Sequence, residues 1–468
     1  MTDRTALLNR AAAHATRYLS TIADRHVGAS ATADELRERL GGSLNEMGEP
    51  GDLVIDELAQ AAERGTVATQ GPRYHGFVVG GSVPASTAAD WLVSAWDQNA
   101  GVHVLSPLVA VVEDITAGWL KSLAGLPDSW STGFVTGCQG ANFTALAAAR
   151  HHVLEAAGWD VEGQGLFGAP AIDVVVSEES HYTIFNALRM LGLGASRVRR
   201  IPTDEQGRMR VDALQTTLAA GSSPCIVCAQ AGNVNSGTFD PIDGIAAVCR
   251  PRGAWLHVDG AFGLWAAASP ARAHMVQGVD RADSVATDAH KWLNVPYDCG
   301  VVFTAHPASH RAAMVMGAAY IVETAAERDP RDFVPEESRR ARAVPVYAAL
   351  RSMGRQGVRD LVERCCQLAT RLADRLRAHA ALAIMNDVVL NQVLVRVIDG
   401  ADHEAATRAM IDRLQRDGTC WASGTTWHGK AALRVSISNW STTEADIDRT
   451  ADAIIRSARA PYHEAGMV

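Results

Sequence analysis

At 468 residues, the chain is long enough for two or three domains and a large buried core. Its composition, with 47% hydrophobic and 20% charged residues, is typical of a globular protein rather than of a disordered or fibrous one. A net charge of −9 without a basic run argues against binding to nucleic acid or to an anionic membrane surface.

The chain reads as three segments. Residues 1–75 are predicted to be mainly helical, because "TADELRERLGGSLNEMGEP" offers a threonine cap followed by an amphipathic run. Residues 76–348 form a domain in which apolar strand-like runs alternate with helical ones, which predicts a mainly parallel α/β sheet with helices on both faces. Residues 349–468 begin with a long helix and continue with the strands "VVLNQVLVRVI" and "ALRVSISN", typical of a smaller α+β domain.

Two short motifs match known patterns without their context. "CIVC" lies in a strand-like run, where positions three apart face opposite sides, and no second cysteine pair completes a zinc site. "GQGLFG" matches a nucleotide-binding glycine pattern, but it precedes a strand instead of following one, so we interpret it as a glycine-rich loop. The sequence therefore predicts no metal site.

The distinctive residues fall where strands end, and active groups gather at the carboxyl ends of parallel strands. "AWLHVDGAFG" ends in Asp259, "DSVATDAHKW" ends in His290 and Lys291, and "VVVSEESHYT" ends near His181. "GFVTGCQGANFTALAAAR" passes from a strand through small residues into a helix, whose free N–H groups and dipole suit a phosphate. Taken singly, each feature also has a structural explanation: a strand terminus, a loop histidine or ordinary turn chemistry.

Lys291 is distinctive because the chain contains so little lysine. Of 43 basic residues only Lys121, Lys291 and Lys430 are lysines, and the other 40 are arginines. Chance survival explains one lysine on count alone, but a primary amine is a function that arginine cannot replace, because guanidinium stays protonated. Pyridoxal 5′-phosphate needs an amine for its aldehyde, a carboxylate for its ring nitrogen, a flat group and a phosphate cup. The chain supplies all four.

These segments resemble the pyridoxal-phosphate-dependent group II amino-acid decarboxylases, the glutamate and aromatic-L-amino-acid type. "WLHVDGAFG" is similar to that family's W-[LI]-H-V-D-A-A-[WY], and "DAHKWLNVPYDCG" to its N-P-H-K-W segment. "TGCQGANFTAL" resembles its phosphate loop, "NSGTFDPI" its T-G-[AS]-F-D-P-I, and "SRRARAVPVYAALRSMG" its arginine-rich segment. The likeness runs from about residue 70 to 455. It implies a fold-type I, aspartate-aminotransferase-like enzyme with a large, mainly parallel seven-stranded sheet domain and a small C-terminal domain.

The resemblance also implies roles for individual residues. Lys291 would form the internal aldimine, Asp259 would pair with the pyridine nitrogen, and His181 would stack on the ring opposite Ala261. His290 would face the cofactor phosphate and the substrate. The phosphate would be bound by the segment that contains Gly137, Cys138, Gln139 and Asn142. Arg434 would bind the substrate carboxylate, and Tyr320 would be the proton donor. For Arg434 a salt bridge and for Tyr320 a packed aromatic remain alternatives.

The sequence departs from the family pattern at several places. The phosphate loop reads "GCQGAN" where the family usually offers hydroxyl groups, so backbone contacts must carry more of the binding, and "NPHK" has become "DAHK". Where aromatic-acid enzymes place bulky pocket residues, this chain has Asn99, Gly101 and His103, of which His103 is a candidate substrate contact. These small and polar residues argue against an aromatic substrate without indicating another.

The function predicted is decarboxylation of an L-amino acid to an amine and CO₂, within amino-acid and carboxylic acid metabolism. The alternatives are a carbon–carbon lyase or aldolase, an oxidative aldehyde-forming decarboxylase, and a non-catalytic binding homologue. The intact Asp259 and Lys291 pair argues against the last of these.

The resemblance further implies a homodimer with a shared active site, and residues 1–75 would belong to its dimerisation segment. The glycine-rich and apolar stretch that runs from Gly71 to Gly101 is expected to be buried against a partner. We expect a cytoplasmic enzyme, because the sequence shows no export signal, no run near the roughly 18 apolar residues of a membrane span, and eight scattered cysteines that suit free thiols.

Overall fold

The computed structural model describes residues 3–221, 224–315 and 328–459. Two compact units make up the chain, and the first consists of Met1–Val79, Leu368–Met385 and Val393–Val468. The second consists of Gly80–Gln367 and Asn386–Gln392. The first unit thus combines the N-terminal helices with most of the C-terminal region, and the division predicted at residues 75 and 348 stays a prediction.

The second unit is built around a seven-stranded sheet with the order β1-β7-β6-β5-β4-β2-β3. Its strands are β1 Ser131–Val135, β2 Asp173–Ser177, β3 Arg199–Ile201, β4 Cys225–Gln230, β5 Trp255–Asp259, β6 Ser284–Asp288 and β7 Gly300–Thr304. All neighbouring strands pair in parallel except β7, which is antiparallel to both β1 and β6. The mainly parallel sheet expected from the sequence is confirmed.

Helices precede, connect and follow these strands. They are α4 Pro84–Trp96, α5 Pro107–Ala124, α6 Cys138–Glu155, α7 Val161–Gln164, α8 Tyr182–Met190, α9 Val211–Ala219, α10 Ile242–Cys249, α11 Pro307–Met314 and the first part of α12 Ala343–Arg377, which bends at Gly354. Helices α6 and α8 pack against the sheet through a buried cluster that includes Leu146, Val176, Ile184, Leu188 and Ile226.

The central strands are buried on both faces, which explains their sequences. Strands β4 to β7 are buried along their whole length, and strands covered on both sides are expected to be continuously apolar rather than alternating. Because the other six strands run in one direction, they all end at one edge of the sheet, and antiparallel β7 begins at that edge. Gly300 starts β7 so close to Gly137 that a Cβ atom at position 300 would lie 2.3 Å from its carbonyl carbon.

A buried ion pair holds the arginine-rich segment before α12 against α5. Arg339 Nη1 lies 2.9 Å from Glu113 Oε2, and both side chains are fully buried. Arg339 also donates to two backbone carbonyls, those of Phe134 on β1 at 2.6 Å and of Ala100 at 3.0 Å. Because an unpaired buried charge is strongly unfavourable, this arginine is a structural residue of the second unit.

The first unit is an α+β assembly. Its four-stranded sheet has the order β10-β11-β9-β8, with β8 Leu382–Ile384, β9 Gln392–Val397, β10 Ser423–Trp427 and β11 Lys430–Ser436. Its helices are α1 Arg4–Ser20, α2 Ala33–Leu40, α3 Gly51–Gly65, the end of α12, α13 His403–Asp417 and α14 Glu444–Arg459. Arg371 of α12 joins Asp448 of α14 through two hydrogen bonds of 2.9 and 2.8 Å.

Within residues 3–221, 224–315 and 328–459, no helix combines the length and the apolar character that crossing a membrane would require.

Candidate active site

Lys291 follows the end of β6, and its amine is paired with a carboxylate from that strand. Nζ lies 3.0 Å from Asp288 Oδ2, and the two side chains are 19% and 3% exposed. Burial lowers the pKa of Lys291, but the attraction of Asp288 and other nearby groups outweighs it and holds that pKa above its usual range. The amine is therefore an ammonium at neutral pH, and it must release a proton before it can attack a carbonyl.

The loop that carries Lys291 is held by a close backbone approach. A Cβ atom at Gly80 would lie 1.9 Å from the carbonyl oxygen of Lys291, a distance that no side chain can occupy. The side chain of Asn294 also donates to that carbonyl, at 3.4 Å. Glycine at position 80 is therefore required for the position of the lysine.

Asp259 ends β5 as a buried carboxylate with a donor at each oxygen. Oδ2 accepts a hydrogen bond of 3.0 Å from the Asn142 side-chain amide, and Oδ1 accepts one of 3.1 Å from the backbone N–H of Ala261. The thiol of Cys138 lies 3.4 Å from Oδ1. These donors satisfy both carboxylate oxygens at a site that is only 6% exposed.

A chain of hydrogen bonds that begins at Trp255 orients the Asn142 amide so that it donates to Asp259. Trp255 Nε1–H can only donate, and it donates to Ser284 Oγ at 2.9 Å, which in turn lies 2.9 Å from His257 Nδ1. His257 Nε2 lies 2.9 Å from Asn142 Oδ1, and Asn142 Nδ2 donates to Asp259. Burial lowers the pKa of His257 to about 4, so the ring is neutral. The only consistent assignment has Ser284 donating to Nδ1 and Nε2–H donating to Asn142, so every donor points toward Asp259.

His181 is connected to the same network through a threonine. It precedes α8, and its Nδ1 lies 2.8 Å from the hydroxyl oxygen of Thr183. That oxygen also accepts a hydrogen bond of 3.4 Å from Asn142 Nδ2. The ring of Tyr182 lies 4.4 Å from the His181 ring, measured between centroids. The structure therefore holds the imidazole of His181 at the edge where Asp259 ends its strand.

His290 is held as a neutral ring with a defined proton. The backbone N–H of Cys299 donates to its Nδ1 at 3.1 Å, and the ring stacks on Tyr297 with centroids 4.2 Å apart. Burial lowers the pKa of His290, which favours the neutral ring, and because Nδ1 accepts the Cys299 N–H, the ring proton lies on Nε2. Nε2 faces Asp288 Oδ1 at 3.5 Å.

The N-terminus of α6 lies beside these groups. Its N-cap, Gly137, has no side chain to cap the helix, and a Cβ atom there would lie 3.3 Å from the His290 ring. The backbone N–H of Cys138 donates to Asp288 Oδ1 at 2.6 Å, so a carboxylate from β6 caps the helix instead. Gln139 follows in the first turn and is exposed.

Comparisons with known proteins agree with this geometry. Residues 34–398 match the family model described as the pyridoxal-dependent decarboxylase conserved domain. An aromatic-L-amino-acid decarboxylase from Bacillus atrophaeus is 28% identical over 441 residues, covering 91% of this chain and 90% of that protein. Human cysteine sulfinic acid decarboxylase is 28% identical over 357 residues, covering 74% of this chain and 70% of that protein.

The chain belongs to the pyridoxal-dependent decarboxylase family. A crystal structure of Oryza sativa TDC with PLP and tryptamine has the same fold, with a TM-score of 0.90 at 22% identity, and covers 97% of each chain. The fold-type I architecture expected from the sequence is confirmed. The protein is a pyridoxal-phosphate-dependent enzyme that decarboxylates an L-amino acid.

The residues of this site fit the family's cofactor. Asp259 is a buried carboxylate that hydrogen bonds hold at the end of β5, and a carboxylate there suits a protonated ring nitrogen. Lys291 supplies the primary amine, and the N-terminus of α6, whose N-cap residue offers no side-chain acceptor, suits a phosphate. The fit has one complication, because the N–H of Cys138 already donates to the carboxylate of Asp288.

Three further residues were predicted to contact the substrate or to donate a proton. Tyr320 lies outside the described residues. Arg434 belongs to the first unit, where it lies on β11 opposite Ser423 of β10 and donates to the Ser423 hydroxyl at 3.4 Å. His103 donates its backbone N–H to Asp329 Oδ1 at 2.8 Å. The roles of all three stay predictions.

The small and polar residues near position 100 have structural partners. Asn99 Oδ1 accepts hydrogen bonds of 3.0 Å from the N–H of Gly101 and of 3.1 Å from the N–H of Arg339. A Cβ atom at Gly101 would lie 2.4 Å from the carbonyl oxygen of Glu337. Backbone packing therefore explains Asn99 and Gly101, and neither residue type argues for or against an aromatic substrate.

Sequence reasoning missed Asp288, Thr183, His257 and Ser284 as members of the site. A signal existed for His257, because it precedes Asp259 by two positions and strand side chains alternate, which places both on one face. Asp288 was noticed only because this chain has "DAHK" where the family has "NPHK", and its contacts with α6 could not be predicted from the sequence.

Proposed function

We propose that the enzyme converts an L-amino acid to its amine and CO₂, with Lys291 holding the cofactor aldehyde and Asp259 facing the ring nitrogen. The observation that carries this proposal is the single cluster at one sheet edge. Lys291 is paired with Asp288, and Asp288 contacts the N–H of Cys138, whose thiol lies against Asp259. Amine, helix N-terminus and carboxylate are thus within one continuous set of contacts.

When bound, pyridoxal phosphate accepts the electron pair that remains at the substrate α-carbon as CO₂ departs. Asp259 supports this by keeping a negative charge where the ring nitrogen carries its proton. The chain of donors from Trp255 through His257 and Asn142 holds that carboxylate in position. Burial of the carboxylate strengthens its effect, because water does not screen it.

Other residues of the site carry or transfer protons. Lys291 can release a proton from Nζ to react with the aldehyde and take one up when product leaves. His290 carries its proton on Nε2, facing Asp288. Tyr320 is proposed as the donor that protonates the α-carbon, from its position in the sequence alone.

Arg434 and His103 are proposed as substrate contacts, Arg434 for the carboxylate. One family relative is named an aromatic-L-amino-acid decarboxylase and another a cysteine sulfinic acid decarboxylase, so membership of the family leaves the side chain of the substrate open.

Product analysis tests the reaction directly. The purified enzyme is incubated with each common L-amino acid, and CO₂, amine, aldehyde and oxygen are measured. We expect one or a few substrates to yield one amine for each CO₂ without oxygen consumption. Aldehyde with oxygen consumption would indicate the oxidative alternative, and cleavage without CO₂ would indicate a lyase. A colourless protein that pyridoxal phosphate cannot colour would contradict the proposal.

We infer that the enzyme is a homodimer with a shared active site, through an apolar face that α4 and α5 leave exposed. Much of the stretch around Tyr74 and Val83, which the sequence suggested for an interface, is buried in the chain itself. On α4, on α5 and between them, the exposed large apolar side chains are Trp91, Leu92, Trp96, Val104, Leu105, Leu108, Val111 and Ile115. Two consecutive helices with so many exposed apolar side chains are typical of a protein–protein contact. A second copy of this chain is the proposed occupant, because the family resemblance implies a dimer.

Replacing Leu108 and Val111 by glutamate tests this face. Both side chains are exposed, 59% and 48%, so the variant should fold, while two charges at the contact should dissociate the dimer. Sedimentation should give twice the chain mass for the wild type and the single chain mass for the variant. Met190→Glu, an exposed apolar side chain on α8, serves as the control and should remain dimeric. A fully active wild-type monomer would contradict the proposal.

We infer that the enzyme is cytoplasmic, because its eight cysteines are buried and none of them forms a disulfide.

A further inference from the structure

Asp288 is a single carboxylate that contacts three groups expected to serve the cofactor. Its Oδ2 lies 3.0 Å from Lys291 Nζ, and its Oδ1 accepts the Cys138 N–H at 2.6 Å. His290 Nε2 faces the same Oδ1 at 3.5 Å. The side chain is 3% exposed, and Trp265 donates to its backbone carbonyl at 3.3 Å. Neither oxygen is therefore free to turn toward solvent.

The contact with Cys138 places a negative charge at the N-terminus of α6. That helix has 18 residues, its N-cap Gly137 provides no side-chain acceptor, and its first N–H groups carry the positive end of the helix dipole. These properties make the N-terminus suited to an anion, and in this chain Asp288 already supplies one. The phosphate of the cofactor is expected to use the same N–H groups.

The other charged groups around Asp288 do not remove this conflict. Lys291 is cationic and pairs with Oδ2, whereas His290 is neutral. Cys138 remains a neutral thiol, because burial raises its pKa. Asp259 adds a second carboxylate on the far side of Cys138. An incoming phosphate dianion therefore meets one ammonium that is already neutralised by Asp288, together with a repelling carboxylate.

We propose that Asp288 is a built-in competitor of the cofactor phosphate at the N-terminus of α6, and that its charge sets the affinity of the enzyme for pyridoxal phosphate. This inference rests on the proposed function, because it takes Lys291 and α6 as the cofactor site. When phosphate binds, the Cys138 N–H donates to the phosphate instead of to Asp288. The phosphate and Asp288 also compete for the ammonium group of Lys291. Removing the charge of Asp288 should therefore tighten phosphate binding instead of weakening it.

The experiment compares Asp288→Asn and Asp288→Ser with the wild-type chain. Two neutral side chains are used so that a local distortion by one of them is recognised. The cofactor is removed from each protein, and the affinities for inorganic phosphate, pyridoxal and pyridoxal phosphate are measured by calorimetry and absorbance. Asp283→Asn is the matched control, because Asp283 immediately precedes β6 and also accepts a backbone N–H, from Leu256 at 2.7 Å, at the opposite end of the strand.

Both neutral variants should bind inorganic phosphate about tenfold more tightly or better, because like charges in contact are strongly unfavourable. Pyridoxal phosphate should gain more affinity than pyridoxal, which lacks the phosphate, and Asp283→Asn should bind inorganic phosphate as the wild type does.

Unchanged or weaker phosphate binding in both neutral variants, with a wild type that carries its cofactor on Lys291, would overturn the role of Asp288 alone. A wild type that binds no cofactor on Lys291 would overturn the proposed function and this inference together.

Discussion

Lys291→Arg should abolish decarboxylation while leaving the protein folded. Arginine keeps the positive charge that pairs with Asp288 at 3.0 Å, so the local electrostatics change little. A guanidinium cannot become a neutral amine, however, and can neither bond to the cofactor aldehyde nor exchange a proton at Nζ. Loss of proton transfer alone commonly reduces turnover by roughly 10²–10⁴-fold, and loss of the covalent attachment adds to this.

The other two lysines provide matched controls. Lys121 Nζ donates to the carbonyl of Trp130 at 3.0 Å and to that of Asp128, so it holds the turn after α5. Lys430 begins β11 and is exposed. Lys430→Arg should retain full turnover, and Lys121→Arg should lose stability at most.

Chemical trapping identifies the lysine that holds the cofactor, which a measurement of activity cannot do. Borohydride reduction of the wild-type holoenzyme, followed by peptide mapping, should leave the pyridoxyl group on the peptide with Lys291. The same treatment of Lys291→Arg should leave it on no peptide. A label on Lys121 or Lys430 would show that the cofactor is held elsewhere.

The sequence could predict that the candidate residues lie close together, because local patterns indicate where strands end. Asp259, Lys291 and the start of α6 each follow an apolar run, and parallel strands bring such ends to one edge. The mainly parallel sheet was predicted from the same alternation of strands and helices, although the antiparallel direction of β7 has no local signal. That direction places the start of β7 beside Gly137.

Contacts between distant segments could not be predicted, because no local pattern records them. The Cys138 N–H and Asp288 are 150 positions apart in the chain, and Asn142 and Asp259 are 117 apart. Gly101 looked like a residue that enlarges a pocket, whereas the carbonyl of Glu337, which approaches it closely, explains the glycine. A small residue has the same appearance in a sequence whether it opens space or accommodates a neighbouring backbone.

Asp259→Asn should lower turnover by roughly 10²–10³-fold or more while the protein folds and binds its cofactor, because it removes one charge that acts on the ring nitrogen. The structure explains how asparagine can be accommodated. Its Oδ1 keeps the Ala261 N–H, and its new amide faces Asn142, which can turn its own amide around. The neutral ring of His257 then moves its proton from Nε2 to Nδ1 and donates to Ser284, whose oxygen has a lone pair to accept it.

Thermal unfolding, cofactor absorbance and turnover should be measured together on this variant. Asp240→Asn is the control for folding, since Asp240 is also buried and accepts two backbone N–H groups, from Met209 at 2.7 Å and Gln230 at 2.8 Å. It should reduce stability without reducing turnover per folded molecule. Normal turnover in folded, cofactor-loaded Asp259→Asn would contradict the role assigned to the charge, and unfolding of that variant would make Asp259 a structural residue.

Exchanging the two partners separates the presence of a carboxylate from its position. In the double variant Asn142→Asp with Asp259→Asn, a carboxylate on α6 accepts from His257 Nε2 and from the new amide at position 259, so the donor chain from Trp255 is preserved. Stability should therefore return toward that of the wild type. The negative charge now lies on the far side of the amide, away from the end of β5, and turnover should stay as low as in Asp259→Asn. Recovery of turnover in the double variant would show that any nearby negative charge serves, and that Asp259 does not act by contact with the ring nitrogen.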